Sequence, residues 1–88
     1  MDQIDKALYE HEVVDRQSFI KFLSLLHDNY QLNKAEWENI DLDSFLEAMI
    51  RYSEDIRGYY DNTNQKVDAD TPSWKVFADI LLGAKIYE

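Results

Sequence analysis

Cysteine is absent from this chain, so neither a disulfide framework nor a thiolate metal site is available, and stability must come from apolar packing. Two glycines and one proline in 88 residues are too few for the many tight turns of an all-β chain. The longest apolar runs are only a few residues, which excludes a membrane-spanning helix. The opening MDQIDKALYE carries early acids where a signal peptide has its apolar segment. Basic residues are scarce: nine Lys and Arg stand against 18 Asp and Glu, a formal charge of −9. Such a charge repels phosphate and anionic lipid, so neither a nucleic acid nor a membrane is an expected partner. These absences predict one cytoplasmic domain over residues 1–88, near the small end of what folds unaided.

The residues of catalysis are also thin. No glycine-rich run precedes a helix to cradle phosphate, and Ser18, Ser24, Ser44, Ser53 and Ser73 lie in no nucleophile-elbow setting. His11 and His27 are the only imidazoles, and His27 falls late in a helix, where it suits the negative end of the dipole. Asp41, Asp43 and Glu47 form a carboxylate group, but an N-cap followed by first-turn acids accounts for them. An EF-hand loop counted from Asp61 would need glycine at Lys66 and glutamate at Pro72, so that reading fails. The expectation is a non-enzymatic protein with no catalytic residue, no metal and no cofactor.

What is present is 45% hydrophobic residues, 14% of the chain aromatic, in helical periodicity. Residues 1–13 read either as a short helix on Ile4 and Leu8 with an extended lead-in, or as a loosely ordered segment. Asp15 is placed to cap a helix to about Tyr30, with Val14 and Phe19 at hydrophobic-staple spacing. Phe19, Phe22, Leu23 and Leu26, flanked by Ile20 and Leu25, give it a wide apolar face. Asn33 to Asn39 reads as a turn anchored by Trp37. The device then recurs as Ile40, Asp41 and Phe45, opening a helix with Leu42, Phe45, Leu46, Met49, Tyr52 or Ser53, and Ile56 on one stripe. Gly58 sits where a left-handed C-cap would end that helix, with Arg57 before it. A polar loop over 61–70 follows. Thr71 and Pro72 are predicted to cap and open a last helix packed through Trp74, Phe77, Ala78 and Leu81. Gly83 is read as a point of close approach, and Ile86 and Tyr87 as docking the tail. The fold class is all-α, a small bundle of three to four helices.

Charge and aromatics coincide in one stretch. Residues 36–70 hold ten Asp or Glu against Arg51, Arg57 and Lys66, so −7 of the −9 lies there. Tyr59 and Tyr60 stand in its middle. They either plug the end of the bundle or anchor an interface, since tyrosine offers area and a hydroxyl at modest entropic cost. Trp37 and Trp74, which flank the stretch, are expected in the core.

The stretch from Trp37 to Glu88 resembles a family of small, acidic bacterial proteins of uncharacterised function. The resemblance is carried by Trp37-Glu38-Asn39, Leu42, Phe45-Leu46-Glu47-Ala48, Asp55, Gly58-Tyr59-Tyr60, Asn62, Pro72-Ser73-Trp74, Phe77-Ala78 and Tyr87-Glu88. It implies membership and no activity. A second resemblance is to the immunity proteins of nuclease bacteriocins, acidic four-helix proteins of similar length. In them an acidic second helix and a Tyr-Tyr pair on a short third helix grip a basic toxin domain. Tyr59 and Tyr60 match the pair, and Thr71-Pro72-Ser73 opens the last helix after an acidic loop. Gly58 departs from the pattern by interrupting the segment, and Asp55 stands one residue too far from Tyr59.

Together these readings predict an acidic protein-binding module, of the kind of an immunity or antitoxin-like inhibitor of a cationic toxin. The expected partner is a basic protein. Asp43, Glu47, Glu54, Asp55 and Asp61 would steer it, and Tyr59 and Tyr60 would be buried against it. The alternative is a regulatory or assembly domain that self-associates as a homodimer through Ile20 and Leu25 or through Ile86 and Tyr87.

Overall fold

The computed structural model describes residues 2–88, and Met1, the first residue of the expected lead-in, lies outside them. Among the described residues the chain forms four helices and no strand: α1 (Gln3–Glu10), α2 (Arg16–Leu32), α3 (Leu42–Asn62) and α4 (Trp74–Ala84). A single 3-10 turn, Lys34–Glu36, lies between α2 and α3. The chain is the all-α bundle its periodicity predicts. α1 packs on α2, and α4 packs on both α2 and α3.

Local chemistry opens each helix. Asp15 caps α2, accepting the Ser18 N–H at 2.8 Å while the Ser18 hydroxyl accepts the Asp15 N–H at 3.0 Å. The predicted staple from Val14 to Phe19 does not form. Residues 11–14 lie between the helices, with Val13 buried and Val14 facing solvent. Asp41 caps α3 by accepting the Ser44 N–H at 2.7 Å. Serving as caps holds Asp15 and Asp41 below the usual carboxylate range, through the hydrogen bonds each accepts from its serine.

Two of the predicted helix limits are corrected. α3 does not stop at Arg57; it runs 21 residues through Gly58, which has a negative φ, to Asn62. The left-handed residue is Asn64, at φ 57°. Around it Asn64 N–H donates to Asp61 O at 3.3 Å and Gln65 N–H to Tyr60 O at 2.9 Å, the paired bonds of a Schellman closure. The reason is tertiary. Ile56 and Tyr60 lie one turn apart on the buried face, and burying a tyrosine outweighs the cost of about 1 kcal/mol for a glycine inside a helix. Asp61 and Asn62 therefore belong to α3 and not to the loop.

The opening of α4 moves as well. Ser73 is its cap, accepting the Val76 N–H at 3.1 Å, and Pro72 lies ahead of the cap. Thr71 is taken up by the preceding turn, donating its hydroxyl to Asp68 at 2.6 Å, while Asp68 also accepts the Asp70 N–H at 2.9 Å. These bonds hold the Asp68 carboxyl below its ordinary range.

The apolar faces are narrower than the pattern predicts. Phe22 and Leu26 of α2 are buried, while Ile20 and Leu23 are exposed. On α3, Phe45, Met49, Tyr52 and Ile56 turn inward with Ala48, but Leu42 and Leu46 stay in solvent. Trp37 is in the core as expected. Trp74 is not: it is partly exposed, 5.2 Å from the Phe19 ring.

A buried polar chain joins the ends of the sequence. The Trp37 indole N–H donates to Asn29 Oδ1 at 2.8 Å, and Asn29 Nδ2 donates to Asp5 at 2.6 Å. Burial alone would raise the Asp5 carboxyl, but bonds from Asn33 and Asn29 outweigh it and hold the group low. Asn39 then secures the C-terminal tail. Its side chain donates to Ala84 O at 2.9 Å and to Tyr87 O at 2.7 Å, and the Glu38 and Asn39 N–H groups both reach Lys85 O. Ile86 remains exposed, so the tail docks through backbone and Tyr87 and not through both side chains.

Candidate functional site

The long α3 decides where the predicted contact residues fall. Asp43, Glu47, Glu54 and Asp61 are spaced by nearly whole numbers of turns, so they share one line along the solvent side. That line is long. At about 1.5 Å per residue, Asp43 stands roughly 27 Å from Asp61 along the axis. The acids are a stripe and do not converge on one point.

Tyr59 and Tyr60 separate. Tyr60 is 1% exposed, packed among Ile56, Val76, Tyr52 and Ile80, and its hydroxyl donates to Asp79 at 2.7 Å. Lys75 donates to the same carboxylate at 3.0 Å. Burial, and then the Asp79 bond, push the Tyr60 phenol far above its ordinary range. A side chain so enclosed has no surface to give a partner, and Tyr60 leaves the predicted contact set. Tyr59 is 38% exposed and its ring centroid lies 5.4 Å from that of Tyr60.

Around Tyr59 the structure builds a hollow of about 590 Å³, lined by Tyr52, Glu54, Asp55, Gly58, Tyr59, Asn62 and Tyr87. Its three tyrosines come from two parts of the chain. Tyr52 and Tyr59 lie two turns apart on α3, with centroids at 6.1 Å and planes at 49°. Tyr87 comes from the tail and meets Tyr52 edge-on, at 5.0 Å and 79°. The Tyr87 hydroxyl donates to Asp55, and that bond raises the Tyr87 phenol above its ordinary range. Tyr52 is pushed up to about 12, first by burial and then by its tyrosine and Asp79 neighbours. The Tyr52 and Tyr87 rings therefore stay neutral across the physiological range.

Gly58 is one of the lining residues, and an added Cβ there would meet no atom within 4 Å. Gly83 plays the opposite part behind the hollow. A Cβ there would come within 2.3 Å of the Tyr52 ring, so its absence lets α4 approach α3 and seat that ring. The close approach predicted at Gly83 is present.

Of the seven predicted contact residues, the structure brings together Tyr59, Asp55 and Glu54. Asp43 and Glu47 lie toward the other end of α3, Asp61 is exposed beyond the hollow, and Tyr60 is behind it. Sequence reading missed Tyr52 and Tyr87 as parts of this site. The seven-residue spacing from Tyr52 to Tyr59 was a usable signal, whereas Tyr87 is placed by Asn39, 48 positions away.

A second, apolar hollow of about 350 Å³ lies between α2 and the start of α3, lined by Leu23, Leu26, Tyr30, Trp37, Ile40 and Phe45 among others. No group of three or more His, Cys, Asp or Glu suited to a metal occurs among the described residues. None of the described helices is long and apolar enough to cross a membrane.

No curated protein and no solved structure matches the chain. One family model does match, over residues 15–88, which takes in α2, α3, α4 and the tail but not α1. The chain belongs to the family of unknown function DUF7660.

Proposed function

We propose that this protein is a non-enzymatic binding module whose partner is a basic protein, held at the tyrosine-lined hollow on the acidic side of α3. The observation that carries the reading is the meeting of exposed Tyr59 with Tyr52, Asp55 and Glu54, all inside the stretch that holds most of the negative charge, and with Tyr87 from the tail. Acidic surfaces speed the encounter with basic ones, and a central aromatic anchor supplies much of the affinity. An immunity or antitoxin-like inhibitor of a cationic toxin is the specific form of this proposal. Its support is the charge pattern and exposed Tyr59; against it stand the burial of Tyr60 and the placing of both tyrosines in the last turns of a 21-residue helix, not on a short separate one.

A second reading has its own observation. Leu42, Leu46 and Ile50, one turn apart along α3, are 73%, 49% and 62% exposed, and Ile20 and Leu23 of α2 are exposed as well. An apolar patch of that kind suits self-association, with the acidic stripe then serving solubility.

Affinity capture from the source organism's lysate, followed by mass spectrometry, tests the first reading. The wild type is expected to retain a basic protein that the Tyr59→Ala/Asp55→Asn double variant loses, with helicity unchanged. Equal retention by both would displace the contact from this hollow. Retention of nothing but the protein itself would favour self-association.

A further inference from the structure

We infer that the hollow bounded by Tyr52, Tyr59 and Tyr87 is a subsite for one arginine side chain of the basic partner. The inference rests on the proposed protein-binding role and specifies the group that enters. Three tyrosine rings line the space, with Tyr52 set at 49° to Tyr59 and at 79° to Tyr87, so that the rings are not stacked face to face. Ring faces attract a cation placed over them, most strongly where water is partly excluded.

The carboxylates supply the second half of the recognition. Asp55 is positioned by the Tyr87 hydroxyl on Oδ2, while its Oδ1 makes no hydrogen bond among the described residues. Glu54 beside it is in no ion pair among the described residues. The nearest cations of α3 do not fill the space: Arg57 is engaged by Asp70, and Arg51 is not among the lining residues. A planar, weakly hydrated guanidinium can stack on a ring while its edge meets a carboxylate, a combination that the strongly hydrated lysine ammonium cannot make.

Gly58 lines the space and adds no side chain to it. It costs helix stability where it stands, and no neighbouring atom requires it, since a Cβ would enter open space. Any larger side chain at 58 would project into the hollow.

The test is an NMR titration of the full chain with N-acetyl-arginine amide, followed at the tyrosine ring signals and the Gly58 amide. N-acetyl-lysine amide and the neutral N-acetyl-citrulline amide serve as comparisons. The expected result is a saturable shift confined to Tyr52, Gly58, Tyr59 and Tyr87, with a Kd on the order of millimolar for so small a ligand. Binding should be about threefold or more weaker for the lysine probe and absent for citrulline. Gly58→Leu should abolish the response while the rest of the spectrum and the thermal midpoint are kept or raised.

The subsite is overturned if arginine gives no saturable shift, if citrulline matches it, or if residues near Asp43 and Glu47 shift as strongly as the hollow. Equal affinity for the arginine and lysine probes overturns the preference for guanidinium. Lysate capture with Gly58→Leu separates this inference from the reading beneath it. A basic protein retained equally by wild type and Gly58→Leu removes the subsite and leaves the binding role. A saturable arginine response without any retained basic protein removes the role and leaves the subsite.

Discussion

Tyr60 is the residue whose environment departs most from its neighbour's, and its substitutions follow from that environment. Tyr60→Ala removes a fully buried ring and is expected to cost about 3–5 kcal/mol, enough to unfold much of so small a domain. Tyr60→Phe keeps the ring and loses only the bond to Asp79, which Lys75 still satisfies, so about 1 kcal/mol is expected. Urea denaturation of the two variants checks both values; a folded, unchanged Tyr60→Ala protein would show that the ring is not part of the core. The same residue, with Tyr52, predicts an alkaline limit. Both phenols are raised above the ordinary value of 10.0. In the unfolded chain they ionise near that value, whereas the folded chain keeps their protons. Their contribution is therefore complete below pH 10 and is lost as pH rises from 10 toward the folded values. Stability by urea denaturation should fall between neutral pH and about pH 11, and the fall should be smaller in Tyr60→Phe. An unchanged midpoint would contradict the burial of these hydroxyls.

The elements of this fold show which signals a sequence displays and which it conceals. The caps at Asp15 and Asp41 were legible because each acid stands directly before an apolar run of helical period, and each finds its hydrogen-bond partner, Ser18 or Ser44, three residues on. The end of α3 was not. Gly58 carries the local signature of a terminus, but the burial of Ile56 and Tyr60 against Val76 carries the helix past it, and that packing exists only once α4 has docked. Thr71 and Pro72 misled for a related reason, since a turn through Asp68 had a competing use for the threonine hydroxyl. The hollow was half legible: Tyr59, Asp55 and Glu54 could be named from charge and composition, while Tyr87 needed the link from Asn39 to the tail. The two glycines give the sharpest test of these element-level assignments. Gly58→Ala lies within a helix and faces open space, so it should stabilise by about 1 kcal/mol; a left-handed cap would instead lose stability on gaining a Cβ. Gly83→Ala should destabilise by about 1–3 kcal/mol, because the new methyl displaces the Tyr52 ring from its place against Tyr59 and Tyr87. Thermal midpoints moving in opposite directions would support both assignments, and a shared direction would refute one of them.

At the scale of the whole molecule, two surfaces of α3 make competing claims. One is the acidic line that borders the tyrosine hollow at Glu54, and the other is the run of Leu42, Leu46 and Ile50. A chain of charge −9 repels its own copies, which favours the acidic side as the contact with a different, basic protein. Salt should then weaken the complex mainly through slower association, because exposed charges are screened beyond about 10 Å at 0.1 M salt. The most direct measurement is the affinity of the captured basic partner for wild type, Tyr59→Ala and Leu46→Ser, with sedimentation velocity of each protein alone. The account predicts a monomer alone, a loss of about 2 kcal/mol for Tyr59→Ala, and no change for Leu46→Ser. Concentration-dependent dimers abolished by Leu46→Ser, with Tyr59→Ala binding as wild type, would contradict it.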